Sequence, residues 1–231
     1  MCTASEGTLG NGNLSYRDGL TNTEKEVWDE AYTLFDEMLD DLNKKGLLRK
    51  GMIRVDRERL KKIWENSMNF GNAFNEMVPK FTNGESVSNF IKGADLTPTA
   101  ATYVFLSQLV GTALINLESV FKTSLLFFML EEQGLRKNMA LGQLLSEIER
   151  ISPAMGARLK NLVNTEIRNP LAHGTFWFEK GNVRLATNSY LEDFKEMPLH
   201  KFWIEIKKIN IIAVALTEVL GKKVNQGYFR V

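Results

Sequence analysis

Any fold for this chain must hide one unusually apolar stretch, YVFLSQLVGTALINLESVFKTSLLFFML at 103–130. Gln108, Asn116, Glu118 and Lys122 interrupt it too often for a bilayer span, which needs about 20 predominantly apolar residues. Its apolar positions also fall on more than one side of a 3.6-residue helix. The spacing therefore predicts a helix over 99–132, closing toward Gly134 and surrounded by others. The second apolar run, INIIAVAL at 209–216, is too short to cross a membrane. Both read as buried helices of a soluble, cytoplasmic protein with no membrane partner. Residues 1–25 lack the basic start and apolar core of a secretory signal.

The rest of the pattern is mostly helical. Residues 1–22, rich in Gly, Asn, Ser and Thr, read as a flexible tail. A helix is predicted from Thr23, with a capping box to Glu26 and an apolar face of Trp28, Ala31, Tyr32, Phe35, Met38, Leu39 and Leu42. A second begins near Asp56 and places Leu60, Ile63, Trp64, Ser67, Phe70, Gly71, Phe74 and Met77 inward. Residues 79–98 form a connection, with at most a short helical turn at 86–92. Helices follow at 139–149 and 153–167, and a last one at 197–220 is stopped by Gly221. Between them TFWF (175–178), a Glu-Lys-Gly-Asn turn and VRLA (183–186) make a β-hairpin. The expectation is an all-α protein: a helical bundle of six or seven helices, with one small β-hairpin inserted at 175–186. Residues 23–98 then form an N-terminal helical extension to the bundle of 99–231.

Charge is segregated along the chain. Residues 20–43 carry eight acids and one lysine, whereas 44–62 carry nine basic residues and two acids. Either the two stretches neutralise each other within the fold, or the basic one faces nucleic acid. The formal net charge of only +1 favours the first.

Composition removes several chemistries. A single cysteine, Cys2, excludes a disulfide scaffold and a cysteine-rich metal site, and fits a reducing compartment. Two histidines cannot build a three-histidine zinc centre, which leaves only mixed histidine–carboxylate sites open. No phosphate loop, dinucleotide fingerprint, zinc-protease helix or nucleophile elbow is present. Neither a cofactor nor a metal is expected.

One segment carries chemistry: Glu166-Ile167-Arg168-Asn169-Pro170-Leu171-Ala172-His173-Gly174. It puts a permanent cation, an amide and an imidazole within six residues at the end of an amphipathic helix. Pro170 lacks an N–H and is expected to kink or restart that helix. On a straight helix Arg168 and His173 lie about 140° apart around the axis and about 7.5 Å along it. They converge only if a kink turns them together, or if two copies meet across a two-fold axis. The chemistry such a pair suits is RNA cleavage without a metal. Imidazoles move protons at neutral pH, Arg168 holds the scissile phosphate, and Asn169 orients the imidazole or donates to a phosphate oxygen. The plain alternative is a helix-end cap, with His173 bonding the last carbonyls and Arg168 paired with Glu166 or an acid of the first helix. His200 reads as a helix-boundary residue, and Trp177 and Phe178 as packing groups or, less simply, a stacking platform for a base.

Arg168-Asn169-Pro170-Leu171-Ala172-His173 resembles the arginine-to-histidine signature of HEPN domains, a family of small helical bundles common in prokaryotic defence and toxin–antitoxin systems. Asn directly after the arginine and Gly174 after the histidine also resemble it. So does the upstream order: a long helix containing Leu117-Glu118, then a short Leu-Gly-Gln-Leu-Leu helix at 141–145. The resemblance covers residues 99–220. It implies a homodimer with both motifs at the interface and, in active members, a metal-independent endoribonuclease. Arg168 and His173 would then be catalytic, Asn169 their neighbour and Glu118 an accessory group reaching the same groove or pairing with Lys122. A protein antitoxin or other regulator would be a partner besides RNA. Thr175 stands where members silenced by nucleotidyltransferase antitoxins carry a tyrosine. The family also holds inactive scaffolds, so a non-catalytic RNA- or protein-binding dimer is the alternative function.

Overall fold

The structure, a computed structural model, describes residues 16–48, 58–66, 69, 89, 91–128, 139–187 and 193–228. It is mostly helical, with one small antiparallel sheet of three strands. After a 3₁₀ turn at Tyr16–Gly19, helix α1 spans Asn22–Lys44. Its capping box is Thr21 with Glu24, two residues before the predicted one. The sequence offers the same Thr-x-x-Glu spacing twice, and the earlier copy caps the helix. The predicted apolar face is buried from Trp28 to Leu42, with Leu34 added and Tyr32 left half-buried.

Residues 58–66 are helical as expected; Leu60 is buried, and the Trp64 indole donates to Ser124 Oγ at 3.0 Å. The inward positions predicted at Ser67, Phe70, Gly71, Phe74 and Met77 lie outside the described residues, as do Cys2, most of the 79–98 connection and the end of the long helix beyond 128.

That long helix begins at Pro98, capped by Thr97, whose hydroxyl accepts from the Ala100 N–H at 3.2 Å. It runs as α2 (Pro98–Leu114), a π-helical segment (Ile115–Phe121) and α3 (Lys122–Phe128). Among the described residues it is the one helix long and apolar enough, by length and composition, to cross a membrane; half of its most apolar window is buried within the fold. Helix α4 (Leu141–Ile151) and α5 (Pro153–Val163) follow, joined by Ser152 alone. The predicted 153–167 helix is divided at Asn164, whose backbone is left-handed (φ 47°, ψ 74°). A new helix, α6 (Thr165–His173), starts there and contains Pro170 without ending. Asn tolerates the left-handed region better than most residues, so the chain turns at the asparagine and not at the proline.

Strands β1 (Phe176–Glu179) and β2 (Asn182–Ala186) form the predicted hairpin around Lys180 and Gly181, both at positive φ (50° and 82°), as a two-residue turn of this type requires. A third strand, β3 (Phe194–Pro198), absent from the sequence expectation, pairs with β2. Cross-strand register puts Phe176, Phe178, Val183 and Leu185 on the face toward the helices, and Trp177, Arg184 and Glu196 on the other. Phe178 meets Phe202 and Tyr103 edge-on, whereas Trp177 meets Phe194.

The last helix, α7, spans Leu199–Asn225 and passes straight through the expected stop at Gly221. Tertiary bonds hold its final turn. Lys223, 2% exposed, pairs with Asp36 at 2.8 Å and with Asp40, both on α1, and lies 4.9 Å from the centre of the Tyr228 ring. Lys222 reaches Asp36 at 3.0 Å. Further along, Lys207 meets Glu24, and Arg158 of α5 meets Glu37. The acidic face of α1 is thus neutralised largely by α7 and α5. From the basic 44–62 stretch, Lys45, one turn after Asp41, pairs with it. The buried side chains of α1 belong to the same continuous core as those of α2 and α4 to α7.

Candidate functional site

Helix α6 brings the motif to the body of the protein. Ile167 and Leu171 are buried and anchor its inner side. The turn before it is held by Asn164, whose side-chain amide donates to Glu205 of α7 at 3.0 Å. Glu166, on the outside, pairs with Lys195 of β3 at 2.5 Å.

Arg168 follows the buried side: the residue is 7% exposed. Its Nη2 donates to Glu118 Oε1 on the π-helical segment, and its Nη1 donates to Asn169 Oδ1 at 2.8 Å. The other Glu118 oxygen accepts from Lys122 Nζ at 2.8 Å. The Arg168 Nε is buried and meets no acceptor. Burial alone would raise the Glu118 carboxyl, but the Lys122 ammonium and the Arg168 guanidinium outweigh it and hold the carboxyl below the usual glutamate range.

His173 ends the helix and is exposed, as is Asn169. No hydrogen bond or ion pair holds the imidazole among the described residues. The helix's last carbonyls are capped instead by the chain that follows. The N–H groups of Gly174 and Thr175 donate to Leu171 and Pro170 at 3.4 and 2.9 Å. Gly174 holds φ 66°, where a Cβ is strained by about 1–2 kcal/mol. Replacement by alanine is expected to lower the unfolding free energy by about 1 kcal/mol in a denaturant titration, because open space around the position adds no clash.

The structure therefore brings three of the four singled-out residues together, Glu118, Arg168 and Asn169, and leaves His173 apart on the exposed end of the same helix. The helix-end cap expected as the plain alternative does not form. Arg168 pairs with neither Glu166 nor an acid of α1, and His173 does not serve the helix end. His200 is exposed in the first turn of α7, a boundary position as expected. Lys122 enters the cluster through its i,i+4 pair with Glu118, a spacing visible in the sequence. Among the described residues no group of three His, Cys, Asp or Glu side chains is arranged to hold a metal ion.

No protein-family model, curated protein or solved structure matches this chain. What the protein does is therefore read from its own side chains. The cluster offers two cations around one carboxylate, with an amide at one edge, and an exposed imidazole one and a half turns further along the helix. Such a set suits an anionic substrate that undergoes proton transfer.

Proposed function

We propose that the chain is a HEPN-type helical bundle acting as a metal-independent endoribonuclease, with a composite site assembled by two copies in the cytoplasm of a defence or toxin–antitoxin system. The observation that carries this reading is the placement of Arg168 and His173 on one nine-residue helix. The arginine is locked among polar partners, while the imidazole is exposed and unengaged among the described residues. An exposed histidine without a structural task is available for proton transfer.

Five helical positions hold the two side chains about 140° apart, so one copy alone does not aim both at a single phosphate. Two motifs meeting across a two-fold axis supply the missing group. In that arrangement one His173 takes the proton from a ribose 2′-OH as its oxygen attacks phosphorus. The bond from phosphorus to the 5′ oxygen breaks, and the second His173, protonated, delivers its proton to that leaving oxygen. Arg168 offsets charge growing on the phosphate oxygens, and Asn169 fixes the guanidinium through its Oδ1. The products are a 2′,3′-cyclic phosphate and a free 5′-hydroxyl.

The test is cleavage of labelled single-stranded RNA in EDTA by wild type, Arg168→Ala and His173→Ala, with product ends identified. Cyclic-phosphate ends from wild type, and rates lower by about 10²–10⁴-fold in His173→Ala, are expected. Undiminished cleavage by folded His173→Ala removes the mechanism. One observation favours the second reading, a non-catalytic RNA- or protein-binding dimer: the Arg168 side chain is only 9% exposed and is already paired. Failure of dimeric wild type to cleave any RNA, with binding retained, decides for it.

A further inference from the structure

We infer that Arg168 and Lys122 form a phosphate subsite whose resident occupant is the Glu118 carboxylate, and that a substrate phosphate binds by displacing that carboxylate. That the phosphate belongs to an RNA rests on the function proposed above.

One donor of the cluster is unmet. A guanidinium presents Nε and Nη2 on one edge, the pair that grips carboxylates and phosphates in a two-bond fork. Here Glu118 takes only Nη2, and Nε is buried without a partner. A buried donor left unmade costs about 1–3 kcal/mol. The second Glu118 oxygen is turned away to Lys122. A two-oxygen planar group is thus divided between two cations and leaves the arginine edge half-filled. A tetrahedral phosphate can cover that edge and still turn an oxygen to Lys122.

Access and charge point the same way. Side-chain exposure falls from 27% at Glu118 and 23% at Lys122 to 9% at Arg168. Of the three charged members Glu118 is therefore the most open and Arg168 the most buried. Asn169 occupies the Nη1 end of the guanidinium, so the Nε–Nη2 edge is the one left for a ligand. Arg168, Lys122 and Glu118 together carry a charge of +1, which rises to +2 once the carboxylate swings out. Lys122 thereby becomes a phosphate-binding residue outside the arginine–histidine motif, and Glu118 a competitor that sets its affinity.

The experiment measures binding to the full chain of two probes: a 2′-O-methyl RNA oligonucleotide, which lacks the attacking hydroxyl, and inorganic phosphate. Glu118→Gln is expected to tighten both by up to about fivefold, the worth of one partly exposed ion pair. Adding Arg168→Ala or Lys122→Ala cancels the tighter binding. Lys122→Ala by itself, a change at a part-exposed position, is expected to weaken both probes several-fold at an unaltered unfolding midpoint. Unchanged or weaker binding in Glu118→Gln at an unaltered unfolding midpoint overturns the subsite, as does unaltered binding in Lys122→Ala. Tighter phosphate without tighter oligonucleotide upholds the subsite and removes the RNA.

Discussion

Gly156→Ala is expected to lower the unfolding free energy by about 3 kcal/mol, the upper end of the ordinary range for an overfilled contact. A Cβ at this position would lie 2.2 Å from Glu149 Cα and 2.5 Å from its N and Cβ. Backbone cannot yield as the end of a side chain does, and only Ser152 links α4 to α5, so relief requires the two helices to spread. Spreading loosens Leu145, Ile148 and Leu159 in the core beneath them. Gly111→Ala is the internal control. It too is a helical glycine, but nothing lies within 4 Å of its added carbon, and alanine there should raise stability by about 0.5–1 kcal/mol through propensity alone. Chemical denaturation of the two variants should therefore move in opposite directions. A neutral Gly156→Ala would mean that α4 and α5 cross less tightly than these distances require.

The second large effect is electrostatic. Asp36→Asn with Asp40→Asn leaves the Lys223 ammonium buried without a counter-charge, and should cost about 3 kcal/mol at neutral pH. The Tyr228 ring 4.9 Å away keeps the loss toward the lower end for a broken buried pair. The same network sets an acid limit. Burial raises both carboxyls, but Lys223 for Asp40, and Lys223 with Lys222 for Asp36, hold them below the usual aspartate range. A carboxyl depressed in the folded state gives stability that is fully present above its unfolded value of about 3.9 and is lost as the pH falls through the lower folded value. Wild type should lose this contribution only below about pH 4. The double variant should be less stable above about pH 4, approach wild type at lower pH and so show a shallower acid decline. An acid profile identical in slope to wild type would mean that these two carboxylates do not link folding to pH.

Lys223 also shows where a sequence stops speaking. A lysine pair beside Gly221 has the form of a helix end, and nothing local says that two carboxylates some 180 positions upstream will draw the second lysine inside. The same limit explains Asn164. The long apolar period runs through it to Ile167, and Pro170 is the more obvious place to break a helix. Strand β3 is illegible because its burial does not alternate: Phe194, Lys195 and Glu196 are all exposed. Periodicity carries the elements that bury one regular face. The buried side of α1, the Leu141–Ile148 face of α4 and the two-residue hairpin turn all stand where the spacing puts them.

At the candidate site the residue types are legible and the partnerships are not. Arg168 and His173 stand out as a motif whose members lie about 140° apart on a straight helix, and Glu118 as a group within reach, but nothing local says that the arginine is the one that faces inward. That difference follows from α6 beginning at Asn164, which fixes the rotation of every side chain after it. Glu118 in turn is aimed by the π-helical segment that carries it.

The most extensive contact between helices in the described fold joins the first, α1, to the last, α7. During synthesis the apolar stripe from Trp28 to Leu42 therefore emerges long before the helix that supplies most of its cover. Phe35 meets Phe121 of the π-helical segment, and α5 also touches α1, but the larger share of the cover arrives only after everything up to Leu199 has been translated. Docking of α7 is then a late event, and loss of that helix leaves much of the α1 stripe uncovered.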